Sequence, residues 1–319
     1  MSEPCQTIAI VGPTASGKTA LALSLAKTHP IEIISLDSAL VYRDMDIGTA
    51  KPTPKELAQV PHHLIDIINP LQSYSAADFV RDALRLIEEI RQRKRIPVIV
   101  GGTMMYFKAL TEGLNDLPGA NQDIRDQLQQ QKAEFGLAAL YRQLQQIDPQ
   151  TATRLKELDS QRIERALEVY LLTGIPMSQH FLQQEKNRPD IGLWTLALIP
   201  EQRSLLHKQI ALRFEQMLEQ GFIEEVEKLK EKYPQLNEDY PAIRCVGYRQ
   251  VWSYLNGQIN KEQMIEQGII ATRQLAKRQL TWLRQLSADR VIDPYGVEGL
   301  SEAVSIVQRK MDKVIYLVD

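Results

Sequence analysis

Two cysteines in 319 residues, Cys5 and Cys245, are too few for a cysteine-built zinc cluster and too sparse for a disulfide framework, a scarcity expected in a reducing cytoplasm. An excess of one charge sign is also missing. Lys and Arg number 38 against 40 Asp and Glu, a net charge of −2, so a general affinity for polyanions is excluded and any nucleic-acid surface must come from local clustering. No long apolar run reads as a membrane span, and the polar residues 1–7 do not read as a signal peptide. No internal repeat or low-complexity tract is present. What remains, 44% apolar and 24% charged residues, is the composition of a soluble globular protein, long enough for about two domains.

The most informative stretch is Gly12-Pro13-Thr14-Ala15-Ser16-Gly17-Lys18-Thr19, which follows the apolar residues 8–11 and precedes the helix-forming residues 20–26. Strand, glycine-framed loop and helix in that order make a phosphate loop. The backbone curls so that successive amides face an anion, Lys18 supplies charge, and the Thr19 hydroxyl can hold Mg²⁺. The chain therefore handles a di- or triphosphate, and the loop alone leaves open whether that is ATP or another substrate.

Residues 32–37 read as a second strand ending at Asp37, and residues 96–100 as a third ending at Gly101-Gly102-Thr103. Strands alternating with helices predict an α/β fold, a P-loop NTPase-like parallel sheet core flanked by helices. Ligands gather beyond the carboxyl ends of such strands, so the loop, Asp37 and Thr103 should converge on one crevice. Asp37 can orient Mg²⁺ or accept a proton from a nucleophile, and it can equally cap the turn at Ser38, Ala39 and Leu40. An acid ending the third strand would mark an ordinary ATPase; Gly101-Gly102-Thr103 stand there instead.

From residue 118 to 190 the sequence becomes Gln-rich and helix-periodic, notably over 126–135 and 161–172, which predicts a helical insertion in a discontinuous core of residues 1–117 and 191–319. Residues 193–199 resemble a returning strand, 203–232 one long amphipathic helix, and 291–293 and 314–318 late edge strands. His62-His63 lack partners at metal-ligand spacing and read as structural, and residues 91–95 as the solvated basic end of a helix.

Residues 267–288 hold no acid, yet contain Arg273, Lys277, Arg278, Arg284 and Trp282. Positions 273, 277 and 284 share roughly one helical face, and an aromatic among cations suits RNA contact as well as a solvated face. Arg244-Cys245-Val246-Gly247-Tyr248-Arg249 is compatible with a nucleic-acid loop or with a simple turn.

Taken together with residues 37–42, 45–52, 61–66, 74–79, 101–110, 161–169, 244–250 and 271–279, these motifs resemble the bacterial tRNA dimethylallyltransferases, whereas the tail after about Leu286 matches weakly. The resemblance implies transfer of a dimethylallyl group from its diphosphate to the exocyclic amine (N6) of the adenosine on the 3′ side of the anticodon. By the same resemblance the loop residues Gly12 to Thr19 bind the diphosphate, Lys18 and Arg213 stabilise its departing oxygens, and Thr19 holds Mg²⁺. Asp37 matches the general base and Thr103 a group that orients the site. The tRNA-contacting segments correspond to Asp37, Ser38, Ala39, Leu40 and Thr103, to Gln161, Arg162, Ile163, Glu164 and Arg165, to Arg244, Cys245, Val246, Gly247 and Tyr248, and to Leu275, Ala276, Lys277, Arg278, Gln279 and Trp282. The expected partners are dimethylallyl diphosphate and the tRNA anticodon stem-loop, with a monomeric, cytoplasmic enzyme and no membrane. No Asp-Asp dipeptide of the kind soluble prenyl synthases use is present, and two cysteines cannot build the zinc module of eukaryotic relatives. The alternative is a small-molecule kinase using ATP through the same loop, with Asp37 activating an acceptor hydroxyl; it leaves the basic helix unexplained. A nucleotide-sensing RNA-binding switch would leave Asp37 and Thr103 without a task.

Overall fold

The structure, a computed structural model, describes residues 7–113, 117–183 and 189–315. It divides into two compact units, Met1–Ala109 with Asp190–Asp319, and Leu110–Pro189. The first boundary precedes Pro118, where the composition changes.

The larger unit begins with β1 (Thr7–Val11), α1 (Lys18–Ala26), β2 (Ile31–Leu36), α2 (Pro54–Leu57), β3 (His62–His63), α3 (Ala76–Gln92), β4 (Ile96–Gly101) and α4 (Met104–Glu112), whose last residues pass into the smaller unit. The smaller unit contains α5 (Gln122–Phe135), α6 (Leu137–Ile147), α7 (Pro149–Ala152), α8 (Ser160–Thr173) and α9 (Met177–Gln183). The larger unit resumes with β5 (Leu193–Leu198), α10 (Arg203–Glu219), α11 (Phe222–Lys232), α12 (Tyr248–Leu255), α13 (Lys261–Leu283), β6 (Arg290–Ile292) and α14 (Gly299–Ile315).

The six strands form one sheet in the order β3-β2-β4-β1-β5-β6, parallel throughout. β1, β2 and β4 are buried on both faces, as expected of inner strands of a parallel sheet, and in β2 the polar Glu32 and Ser35 are buried with the apolar residues. Register fixes the crevice. Gly101 pairs with both Val11 and Leu36, so Gly12, Asp37 and Gly102 leave the sheet at one level. A second core contains Tyr42, Phe214, Phe222 and Tyr248. There Glu225 accepts from the amides of Asp46 (2.9 Å), Ile47 (2.7 Å) and Gly48 (3.1 Å) and from the Tyr248 hydroxyl (2.5 Å).

Three expectations need correction. Residues 203–232 are two helices, because the chain turns at Gly221, at φ 97°, and α11 starts afresh. Residues 314 and 315 end α14 rather than form a strand, and 316–318 lie outside the described residues. The basic stretch at the end of α3 is not simply solvated. Arg91 donates to Thr7 Oγ1 (2.9 Å) and the Ile191 carbonyl (2.6 Å), and Arg93 grips the buried Glu32 with two bonds of 2.9 and 2.6 Å. Glu32 also meets His63 at 2.7 Å, and the Arg93 bonds, ahead of His63, hold its carboxyl below the usual range despite burial.

In the helical unit, Leu128, Leu140, Leu144, Ile163 and Leu167 make a separate core. The buried Glu168 is matched by the Asn121 amide (2.9 Å), Arg125 (2.9 Å) and Arg165 (2.7 Å). Among the described residues no helix is long and apolar enough to cross a membrane.

Candidate active site

The phosphate loop is braced from three directions. Within it, the Pro13 carbonyl accepts from Ser16 N (3.3 Å), Ser16 Oγ (2.9 Å) and Lys18 Nζ (2.6 Å). Ala15 and Gly17 take left-handed backbone at φ 64° and 83°, which turns the chain into α1. Glycine adopts that conformation freely, whereas alanine is strained there and needs outside support. The Tyr295 hydroxyl supplies it by donating to the Ala15 carbonyl at 2.7 Å. From α13, Gln279 accepts from Thr14 N at 2.9 Å and donates to the Gly102 carbonyl at 2.9 Å, joining the loop to the end of β4. The amides of Lys18, Thr19 and Ala20 open α1 and have no partner within the helix, so they and the helix dipole favour an anion.

At the end of β2, Asp37 Oδ1 accepts from the amides of Ala39 (2.8 Å) and Leu40 (3.4 Å). The capping role is therefore real, and it occupies one carboxylate oxygen. Oδ2 has no protein hydrogen-bond partner among the described residues. Thr103 Oγ1 accepts from Ser38 N at 3.0 Å, tying the turn after β2 to the one after β4. The Leu36 carbonyl takes the amides of both Gly102 (3.2 Å) and Thr103 (3.1 Å).

Gly101 has no room for a side chain, since a Cβ would stand 2.1 Å from that same Leu36 carbonyl. Gly101→Ala must push β2 and β4 apart, at a cost of about 1–3 kcal/mol as for other overpacked interiors. We expect a lowered Tm by calorimetry, together with reduced turnover because Thr103 moves with the strand.

Charge converges here. Lys18 is lowered from 10.5 to about 7, chiefly by burial and next by Arg213, with Asp37 opposing. Burial likewise lowers Arg213, and Asp37 opposes it. Two cations and one carboxylate thus share a poorly solvated crevice. Burial, with a lesser push from Asp37, drives the Cys245 thiol up to about 12, so Cys245 is a neutral thiol and no nucleophile at neutral pH.

The tRNA-contacting assignments fare unevenly as surface groups. Gln161 and Arg162 on α8, and Arg244, Lys277 and Arg278 in the larger unit, are exposed. Ile163 and Ala276 are core residues, and the Tyr248 side chain is fully buried against Phe222, so these three serve packing. Glu164 pairs with Lys132 (2.8 Å), and Arg165 with Glu168. Gln279 spends its amide on the phosphate loop. Trp282 is 41% exposed, with Lys108 Nζ 5.1 Å from its ring centre. At 100° per residue it lies roughly 140° round α13 from Lys277, so the aromatic and the cations at 273, 277 and 284 occupy different faces. The sequence offered no signal for Tyr295, which lies in the weakly matching tail, and the brace by Gln279 carried none that could be separated from the basic helix.

A model described as IPP transferase matches residues 40–286. The chain is 64% identical over 290 residues to a tRNA dimethylallyltransferase of Neisseria meningitidis serogroup A / serotype 4A, covering 91% of this chain and 93% of that one. Among solved structures, the full-length tRNA isopentenylpyrophosphate transferase of Bacillus halodurans superposes with a TM-score of 0.68 at 36% identity, over 98% of this chain and 99% of that one. A eukaryotic dimethylallyltransferase described as acting on tRNA gives a TM-score of 0.80 at 27% identity, over 96% of this chain and 79% of the other.

Proposed function

This chain belongs to the IPP transferase family, and we propose that its crevice transfers a dimethylallyl group from dimethylallyl diphosphate to N6 of the adenosine 3′ to the anticodon in tRNA. The observation that carries the mechanism is the meeting of Lys18, Arg213 and Asp37 at the carboxyl end of a parallel sheet whose β4 ends at Gly101 and is followed by Gly102-Thr103 rather than an acid. A phosphate loop that grips a leaving diphosphate needs no water-activating acid on β4.

In the reaction the C1–O bond of the donor breaks, the adenine nitrogen forms a bond to C1, and the nitrogen's surplus proton passes to Asp37. Diphosphate leaves with the negative charge, which Lys18, Arg213 and the amides at the start of α1 stabilise as it develops. The adenosine must leave its stack to reach the carboxylate. Thr103, holding the Ser38 amide, keeps the turn that carries Asp37 in place.

Mg²⁺ fits this site as a phosphate-borne ion. Thr19 is exposed at the start of α1, and the described residues contain no cluster of three His, Cys, Asp or Glu that would cage a metal alone. Mg²⁺ commonly takes one or two protein oxygens and completes its shell with waters and substrate phosphates. Thr19 would hold it, and the bound ion would offset charge on the diphosphate oxygens.

The exposed Lys277 and Arg278 are proposed tRNA contacts. Lys277→Ala with Arg278→Ala should weaken tRNA binding and reduce the slope of log K against log salt by about 2 if each cation meets one phosphate, as judged from the duplex value of about 0.9 per contact. Filter binding across a salt series measures both, and an unchanged slope refutes the assignment. The overall reaction is tested by incubating the protein with Mg²⁺, unmodified tRNA and either dimethylallyl diphosphate or ATP, then digesting the RNA and weighing its nucleosides. An adenosine heavier by one dimethylallyl unit only with the diphosphate donor supports the proposal; ATP consumption with unmodified tRNA refutes it.

A further inference from the structure

Between α10 and α13 runs a groove of about 380 Å³ that none of the phosphate-loop residues, Asp37, Thr103 or Arg213 lines. Arg203 and His207 on α10 face Arg273 and Lys277 on α13 and Arg284 at its C-cap across it, and no carboxylate lines it. None of the five side chains has an ion-pair or hydrogen-bond partner among the described residues, and Arg273 Nε is buried without one. Partial burial first, then Arg273 and Arg203, holds His207 below its ordinary pKa, an independent sign that the cations converge. Leu206, Ala276 and Leu280 form a buried apolar floor.

Four permanent cations without a counter-charge repel one another, and on a chain of net charge −2 this concentration is local. An anion would relieve the repulsion, and guanidinium groups are suited to phosphate oxygens. Extent decides which anion. Arg273 to Arg284 covers eleven residues of helix, roughly 16 Å, and Arg203 adds charge from the opposite wall. That is far longer than one diphosphate and corresponds to several nucleotides, since a strand in a duplex advances only about 3.4 Å along the helix axis per nucleotide.

We propose that this groove clamps phosphodiesters of the tRNA backbone away from the target adenosine, with Arg203, Arg273 and Arg284 on separate phosphates of one strand and the apolar floor beneath a ribose. The assignment rests on the tRNA reading of the crevice. It adds a second helix, α10, to the RNA surface. Gln279 lies roughly 160° round α13 from Lys277, so one helix presents cations to RNA and braces the phosphate loop on its far side.

The test uses the exposed rim pair R203Q/R284Q, in full-length protein, with tRNA binding measured from low to high salt and KM measured for both substrates. The expected result is about tenfold weaker tRNA binding, a salt slope shallower by about 2, and a higher KM for tRNA with the donor's KM unmoved. Unchanged tRNA affinity and slope overturn the proposal. So does a raised donor KM, or competition by inorganic diphosphate at the groove with tRNA affinity intact, either of which would mean a free-diphosphate site. A wild-type protein that leaves tRNA unmodified sinks the underlying reading, whereas modification by wild type with an unaffected rim pair sinks the groove alone.

Discussion

Asp37→Asn is expected to lower kcat for tRNA modification by about 10²- to 10⁴-fold, the usual worth of a positioned general base, while thermal stability and tRNA affinity stay near wild type. The choice of Asn separates the two tasks of this residue. Oδ1 caps the turn by accepting from Ala39 and Leu40, and an amide oxygen can still accept those bonds. The proton-accepting carboxylate is lost. Asp37→Ala removes both, so it should add a stability loss of about 1 kcal/mol, typical of a missing cap. Single-turnover kinetics with saturating substrates, alongside thermal melts, measure the pair. Wild-type chemistry in the Asn variant would show that Asp37 only shapes the turn.

The second large effect concerns Lys18, whose pKa in the free protein stands at about 7. A bound diphosphate supplies the counter-charge that burial and Arg213 deny it, and so favours the protonated amine. Binding above pH 7 must therefore take up a proton, and the affinity for diphosphate should fall by about tenfold per pH unit from pH 7 upward. Calorimetry in two buffers of different ionisation enthalpy reads the uptake directly. Lys18→Met should abolish this pH dependence and cost about 10²- to 10³-fold in kcat, comparable to removing one donor from an oxyanion site. Its effect on folding has the opposite sign. Because the folded pKa lies below the unfolded value near 10.5, the unfolded chain binds more protons between pH 7 and 10.5, and stability rises with pH through that window. At pH 7 and below, the protonated ammonium is held at a penalty, so Lys18→Met should raise Tm there. A lowered Tm at pH 6 would contradict the buried-cation account.

The phosphate loop was readable because every part of it is local. β1, the turn at Ala15 and Gly17 and the first turn of α1 lie within about twenty residues, and backbone preference alone nearly dictates their arrangement. The same holds for the ends of β2 and β4, whose mostly apolar strands stop at Leu36 and Gly101, just before Asp37 and Gly102. The break at Gly221 was less visible, since the apolar spacing continues across it while the backbone does not. Ile163, Ala276 and Tyr248 sit inside motifs that also contain exposed cations, and motif membership does not say which way a side chain points.

By itself the sequence determined that a glycine-framed loop with a lysine follows the first strand, that a parallel sheet places Asp37 and Thr103 near that loop, and that one helix is locally basic, because neighbours in the chain and strand periodicity carry that information. Only the tertiary structure decided that Gln279 and Tyr295 hold the loop from 265 and 280 residues away, that Lys18 and Arg213 are desolvated together beside Asp37, and that Arg203 and His207 complete a groove with α13. Those contacts depend on how helices pack over the sheet, and packing is settled by the whole buried surface at once rather than by any local run of residues.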